Sequence, residues 1–156
     1  MKITLLLVGK TADNRLQSLI DEYQNRLKHY IPFEIKIVEL KSRGTQEAEA
    51  LIKQQEGDLI LKAVTPSSDV VLLDERGKQF RSIEFADYLQ KKMSAGRDLV
   101  FVVGGPFGFS QDVYDRANAQ FSLSKMTFSH QMIRLLFIEQ LYRAMTILRH
   151  EPYHHE

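Results

Sequence analysis

The chain has 156 residues, the length of one ordinary domain. With 44% hydrophobic residues, 26% charged residues and only four prolines, it is neither a disordered tail protein nor a collagen-like chain. It has no cysteine, which excludes a disulfide scaffold, a thiolate metal site and a cysteine nucleophile. Its 21 basic and 20 acidic residues leave a net charge of +1, unlike a chain that coats nucleic acid by charge alone.

Apolar runs alternate with helix-period segments along the whole chain. Ile3 to Val8 is a β-rich run ended by Gly9. Leu16, Leu19, Ile20, Tyr23 and Leu27 recur at spacings of three and four and predict an amphipathic helix. Phe33, Ile35 and Ile37 alternate with Glu34 and Lys36 in a strand after Pro32. Thr45 is a candidate cap for a helix carrying Ala48, Leu51, Ile52, Gln55, Leu59 and Ala63, which Gly57 weakens somewhat. Val70 to Leu73 is a third strand, between Pro66-Ser67-Ser68 and an expected turn at Arg76-Gly77-Lys78.

Ser82 is expected to cap a helix with Phe85, Ala86, Leu89 and Met93 on one face, closed by Gly96. Leu99 to Val103 is nearly all apolar, as in a sheet covered on both faces. Gly104-Gly105-Pro106-Phe107-Gly108 follows, then a short helix from Ser110 to Ala117 and a short strand from Phe121 to Leu123. A last helix is expected from about His130 to about Arg149, with Pro152 barring its continuation. These alternations predict an α/β fold with a mostly parallel sheet flanked by helices, in one domain over residues 1–156. No apolar run approaches the ~20 residues of a membrane span. The N-terminus lacks a signal-peptide pattern, so a cytoplasmic protein is expected.

The last helix is apolar over more than one stripe, from Met132 through Leu148. Such a helix is buried on two sides. One side is expected to meet its own sheet and the other a second subunit; a central helix in a monomer is the alternative.

Ligands of open parallel sheets bind beyond the carboxyl ends of the strands. Leu73 to Lys78, Gly104 to Gly108 and Ser124 to His130 lie there. The glycine-rich segment lets backbone approach a ligand, although such a segment also serves as a plain tight turn. Dinucleotide, P-loop and nucleophile-elbow motifs are absent. His130, His150, His154 and His155 cluster late in the chain, but Pro152 interrupts their spacing and no ligand set is complete, so no metal is expected. They read as surface histidines or as substrate contacts. Glu139 precedes Arg143 by four residues, a favourable helical pair. The pair either satisfies itself at an interface or holds a guanidinium ready for phosphate or a base.

Taken together, Val8-Gly9-Lys10, Leu73-Asp74 with Gly77-Lys78, Val103-Gly104-Gly105-Pro106, Leu123-Ser124-Lys125-Met126-Thr127-Phe128 with His130, Glu139 to Ala144 and Pro152-Tyr153-His154 are specific. Over its whole length the chain resembles the SPOUT (α/β-knot) methyltransferases, and within them the 23S rRNA pseudouridine-N3 methyltransferases. The resemblance implies a C-terminal trefoil knot and S-adenosyl-L-methionine (AdoMet) held by Leu73, Gly104, Gly105, Leu123, Ser124, Lys125, Met126, Thr127 and Phe128. It also implies a homodimer acting on 23S rRNA in the assembled ribosome. Arg143, Tyr153 and His154 match substrate-side positions, with His130 as a further catalytic candidate. An arginine stabilises a developing imide anion, and a histidine can take up a proton near neutral pH. The family's basic residue after Tyr-His is replaced here by His155-Glu156.

Overall fold

A computed structural model of the chain describes residues 1–41 and 48–155. Five strands, β1 (Ile3–Val8), β2 (Phe33–Val38), β3 (Asp69–Gln79), β4 (Leu99–Val103) and β5 (Ala119–Ser122), form one sheet in the order β2-β1-β4-β3-β5. Every neighbouring pair is parallel. Between and after them run α1 (Asn14–Leu27), α2 (Glu49–Ala63), α3 (Ser82–Ala95), α4 (Gln111–Arg116) and α5 (Met132–Leu148).

Period-two alternation sends the strand side chains into two cores. Ile3, Leu5, Leu7, Leu99, Phe101, Val103 and Val71 face α1, α3 and α5. Leu6, Val8, Val70, Leu72, Val100 and Val102 face Ile60 of α2 and Val113 of α4. Every residue of β4 is buried, as its unbroken apolar sequence requires. α3 and α4 follow the adjacent strands β3 and β4 onto opposite faces, so a crevice opens between the ends of those strands.

Several expectations shift. Arg76-Gly77-Lys78 is not a turn ending β3. The strand continues to Gln79 and pairs with β5 a second time, Phe121 matching Leu73 before an irregularity and Lys78 after it. A Cβ on Gly77 would lie 2.5 Å from the Phe121 backbone nitrogen, so the two strands meet at a distance only glycine allows. Ser82 is the first residue of α3 rather than its cap. The Arg81 N–H donates to the Glu84 carboxylate at 2.7 Å, and the Ser82 hydroxyl donates to Gln140 Oε1 at 2.9 Å. In α2 the buried face is Ile52, Glu56, Gly57 and Ile60, while Leu51 is exposed. The expected face was displaced because a carboxylate and a glycine take core positions there. Thr45 lies outside the described residues.

Arg134, on α5, is fully buried. Its Nε donates to the His130 carbonyl at 3.0 Å, Nη1 to Thr11 Oγ1 at 2.9 Å and Nη2 to the Val8 carbonyl at 2.9 Å. Burial lowers the affinity of the guanidinium for its proton. Beside it, Gln131 accepts from the Ala12 N–H at 2.8 Å and donates to the Lys10 carbonyl at 3.2 Å. The start of α5 is thus tied to the end of β1 by backbone acceptors that only a planar, multi-donor side chain can reach together.

α5 ends in a paired-turn cap. The His150 N–H bonds the Ile147 carbonyl at 3.0 Å and the Glu151 N–H bonds the Thr146 carbonyl at 3.0 Å, with His150 in the left-handed region at φ 59°. The chain then turns back along α1. The Tyr30 hydroxyl donates to Glu151 at 2.6 Å, and the Arg149 guanidinium stands 4.3 Å over the Tyr30 ring.

Two stability outcomes follow from these geometries. His150→Gly relieves the strain of a Cβ in the left-handed region and should stabilise the fold by about 1 kcal/mol in urea unfolding. Arg134→Lys keeps the charge but loses the fork, and should cost about 2 kcal/mol or more in the same measurement.

Candidate active site

A cavity of about 930 Å³ opens at the carboxyl ends of β3, β4 and β5. That volume lies at the upper end of small-molecule sites, roughly 300–1,000 Å³. Its walls are Leu73 to Arg76, Val103 to Phe109, Phe121 to Ser124 and Met126 to His130, with Lys53, Gln111, Tyr114 and Ile133. Leu73, Gly104, Gly105, Leu123, Ser124, Met126, Thr127 and Phe128 of the expected cofactor set all line it. Lys125 shares the loop but is not part of the lining.

The loop geometry explains the residue types. A Cβ on Gly104 would come within 3.0 Å of the Phe109 ring, and one on Gly105 within 2.7 Å of the Glu56 carboxylate. The glycines therefore let the loop settle onto Phe109 and the buried Glu56, leaving its backbone amides as the wall. The Ser124 hydroxyl accepts from the Met126 N–H at 3.0 Å, and the Ser122 hydroxyl donates to the Ser124 carbonyl at 2.7 Å, fixing the turn after β5. Thr127 closes it against β3 by donating to Glu75 at 2.7 Å. Backbone polar groups and a few side-chain oxygens are a donor and acceptor set suited to AdoMet, which offers an amino acid, ribose hydroxyls and an adenine edge.

The opposite wall is made of side chains. The Tyr114 hydroxyl donates to Asp74 in a short hydrogen bond, the Arg76 N–H donates to the same carboxylate at 2.9 Å, and Arg76 Nη2 donates to the Tyr114 oxygen at 3.0 Å. Burial pushes the Asp74 carboxyl up, but the Tyr114 and Arg76 hydrogen bonds and the Arg76 charge outweigh it and hold the group below the ordinary carboxylate range.

The substrate-side candidates fall into two places. His130 lines the cavity and its carbonyl accepts from Arg134. Arg143, Tyr153 and His154 gather further along α5. Arg143 Nη2 donates to Glu139 at 2.6 Å, Nη1 lies 3.2 Å from His154 Nδ1, and the guanidinium stands 4.8 Å over the Tyr153 ring. Tyr153 donates to the same Glu139 oxygen at 2.9 Å, and its oxygen lies 3.3 Å from that of Tyr23. Burial and these hydrogen bonds push the Tyr153 phenol well above its ordinary value. Arg143 Nε is buried with no hydrogen-bond partner among the described residues. Within one chain, Ile133 at the cavity and Arg143 are ten residues apart on α5, about 15 Å along the axis. A second cavity of about 330 Å³, walled by Leu123, Phe128, Leu136, Glu139 and Gln140 among others, lies between.

Sequence reasoning missed Glu56, the Asp74–Tyr114–Arg76 chain and the tyrosines that seat the tail. Glu56 had a signal: a charged residue four positions from both Ile52 and Ile60 on one helical stripe. The others are partners far apart in sequence, and no local pattern marks them.

Family and relatives agree over nearly the entire chain. The model of the family described as predicted SPOUT methyltransferase matches residues 1–154. A protein of Parabacteroides distasonis named ribosomal RNA large subunit methyltransferase H is 57% identical, with all of both chains covered. Proteins of the same name from Flavobacterium psychrophilum and Bacteroides thetaiotaomicron are each 53% identical, again with all of both chains covered. Alongside a parallel sheet whose strand ends hold a cavity with backbone walls, these matches place the chain in the SPOUT methyltransferase family.

Proposed function

We propose that this protein is an AdoMet-dependent methyltransferase acting on large-subunit ribosomal RNA, and that it methylates N3 of a pseudouridine in the assembled ribosome. The carrying observation is the cavity at the ends of β3, β4 and β5, lined by Gly104-Gly105 and by most of the loop from Leu123 to Phe128, in a chain alike over its full length to proteins named ribosomal RNA large subunit methyltransferase H. We assign the cofactor to Leu73, Gly104, Gly105 and Leu123 to Phe128, including Lys125, and the C-terminal segment to a trefoil knot. The described residues contain no cluster suited to a metal, and no helix long and apolar enough to cross a membrane. A ribosomal substrate makes the cytoplasm the place of action.

Bound AdoMet supplies a methyl group already activated on a sulfonium. The remaining tasks, aligning the imide and favouring its anion, fall to side chains. We assign to Arg143 the contact of a guanidinium with an imide oxygen, a planar multi-donor group that Glu139 and Tyr153 orient. Arginine only donates, so the Arg143 contact makes His154 Nδ1 an acceptor; the neutral ring then carries its hydrogen on Nε2. In that arrangement His154 is a second donor to the imide rather than its base. Two donors on the imide oxygens stabilise the anion, and the N3 proton can pass to water. Tyr153 and Glu139 hold the guanidinium in place.

The separation along α5 supports a homodimer in which the tail of one subunit completes the cavity of the other. Met132 is 47% exposed at the start of α5 and Met126 is 77% exposed beside the cavity, apolar surface that a second copy would cover.

Three measurements test this reading. Removing residues 152–156 should leave AdoMet affinity nearly unchanged in calorimetry while lowering ribosome methylation by about 100-fold or more. Arg143→Ala should act similarly and cost about 1–3 kcal/mol of stability, because Glu139 loses its strongest partner. A truncated protein that still methylates fully would reject the tail assignment. Gly105→Val should abolish AdoMet binding by driving the loop off Glu56. Met132→Arg, at an exposed position, should leave the chain folded, yield monomer in light scattering and remove activity. Mass spectrometry of rRNA from a strain lacking the gene identifies the nucleotide that loses its methyl group.

A further inference from the structure

Building on the methyltransferase reading, we propose that Arg76 and Lys53 form a phosphate-binding rim that grips the RNA backbone at the mouth of the cofactor cavity. Both side chains line that cavity, Arg76 from the end of β3 and Lys53 from α2. Arg76 is 73% exposed yet held in position. Its Nη2 is fixed to the Tyr114 oxygen at 3.0 Å, its guanidinium stands 5.5 Å over the Tyr114 ring, and its backbone N–H is fixed to Asp74 at 2.9 Å. Its Nη1 meets no acceptor among the described residues, so one edge of a planar fork stays open. That open edge is what remains for a phosphate oxygen, because Arg76 Nε already pairs at 3.5 Å with Asp74. The Asp74 side chain is only 10% exposed, and one of its oxygens takes the Tyr114 hydroxyl. Lys53 has no hydrogen bond or ion pair among the described residues.

A pre-positioned guanidinium and an ammonium on the lining of one cavity are the chemistry of a phosphodiester contact. Exposure decides between the two anions that could reach this wall. A small cofactor buries roughly 70–90% of its surface in its pocket, so its carboxylate would lie deeper than a guanidinium this open. A polymer approaches from solvent and meets the rim first. The chain's charge of +1 gives little general attraction for RNA, so affinity has to come from a few placed cations.

The test is methylation of ribosomes lacking the modification, measured against salt, with AdoMet affinity measured separately by calorimetry. Arg76→Gln and Lys53→Gln should each raise KM for the ribosome, about tenfold for Arg76, and reduce the slope of log(kcat/KM) against log salt by about 1. AdoMet affinity should change less than about twofold, and circular dichroism should show an intact fold. Arg76→Lys should keep most of the salt slope while losing part of the affinity. An unchanged salt slope in both glutamine variants would overturn the proposal. So would a parallel fall in AdoMet affinity, which would assign the wall to the cofactor. A wild-type protein that methylates no ribosomal RNA would overturn the methyltransferase reading itself, and this proposal with it.

Discussion

Arg134 carries its guanidinium into the core, where among the described residues no carboxylate meets it. Such a group is tolerated only when its donors are spent, and here they are spent on Val8, Thr11 and His130. Those acceptors belong to the end of β1, the segment before α1 and the segment before α5. If any of them moved, a buried donor would be left open at a cost of about 1–3 kcal/mol. The positions of the loop after β5 and of the first turn of α5 are therefore locked to the sheet. The backbone wall of the cavity depends on that lock, since Met126 to His130 lead directly into it.

The cavity has a wall of main chain on one side and a wall of charged and aromatic side chains on the other. Main-chain groups present the same donors and acceptors whatever the residue, so that wall asks mainly for small residues and fixed turns. Side chains can be exchanged to suit a partner. Arg143, Tyr153 and His154 form a third element, held by Glu139, Tyr23 and Tyr142 rather than by the cavity.

Strong local periodicity made most of the fold legible. The continuous runs of β1 and β4 announced a sheet covered on both faces, and Leu16, Ile20 and Leu27 marked the inner side of α1. The second half of β3 was illegible because Glu75, Arg76 and Lys78 are charged and Gly77 reads as a turn; only the approach of Phe121 makes it a strand. The face of α2 was misread because Leu51 is exposed while Glu56 is buried, a choice made by the glycine loop packed on it. At the site, the segments that line the cavity were legible from their place beyond the strand ends, while the residues assigned to a cofactor came from resemblance. The hydrogen bonds of Tyr153 and Glu151 with α1 and with Tyr30 join residues more than a hundred positions apart.

Phe121 faces Leu73 on one side of the irregularity in β3 and Lys78 on the other. The four residues between are released from the ladder while both their ends stay hydrogen-bonded to β5. A loop anchored in this way has a fixed span. Arg76, on the exposed side of that loop, can change what the cavity presents without disturbing either core, whereas Asp74 and Glu75 can change only by giving up the hydrogen bonds of Tyr114 and Thr127. Gly77 has no such freedom, because the close approach to β5 leaves no room for a side chain.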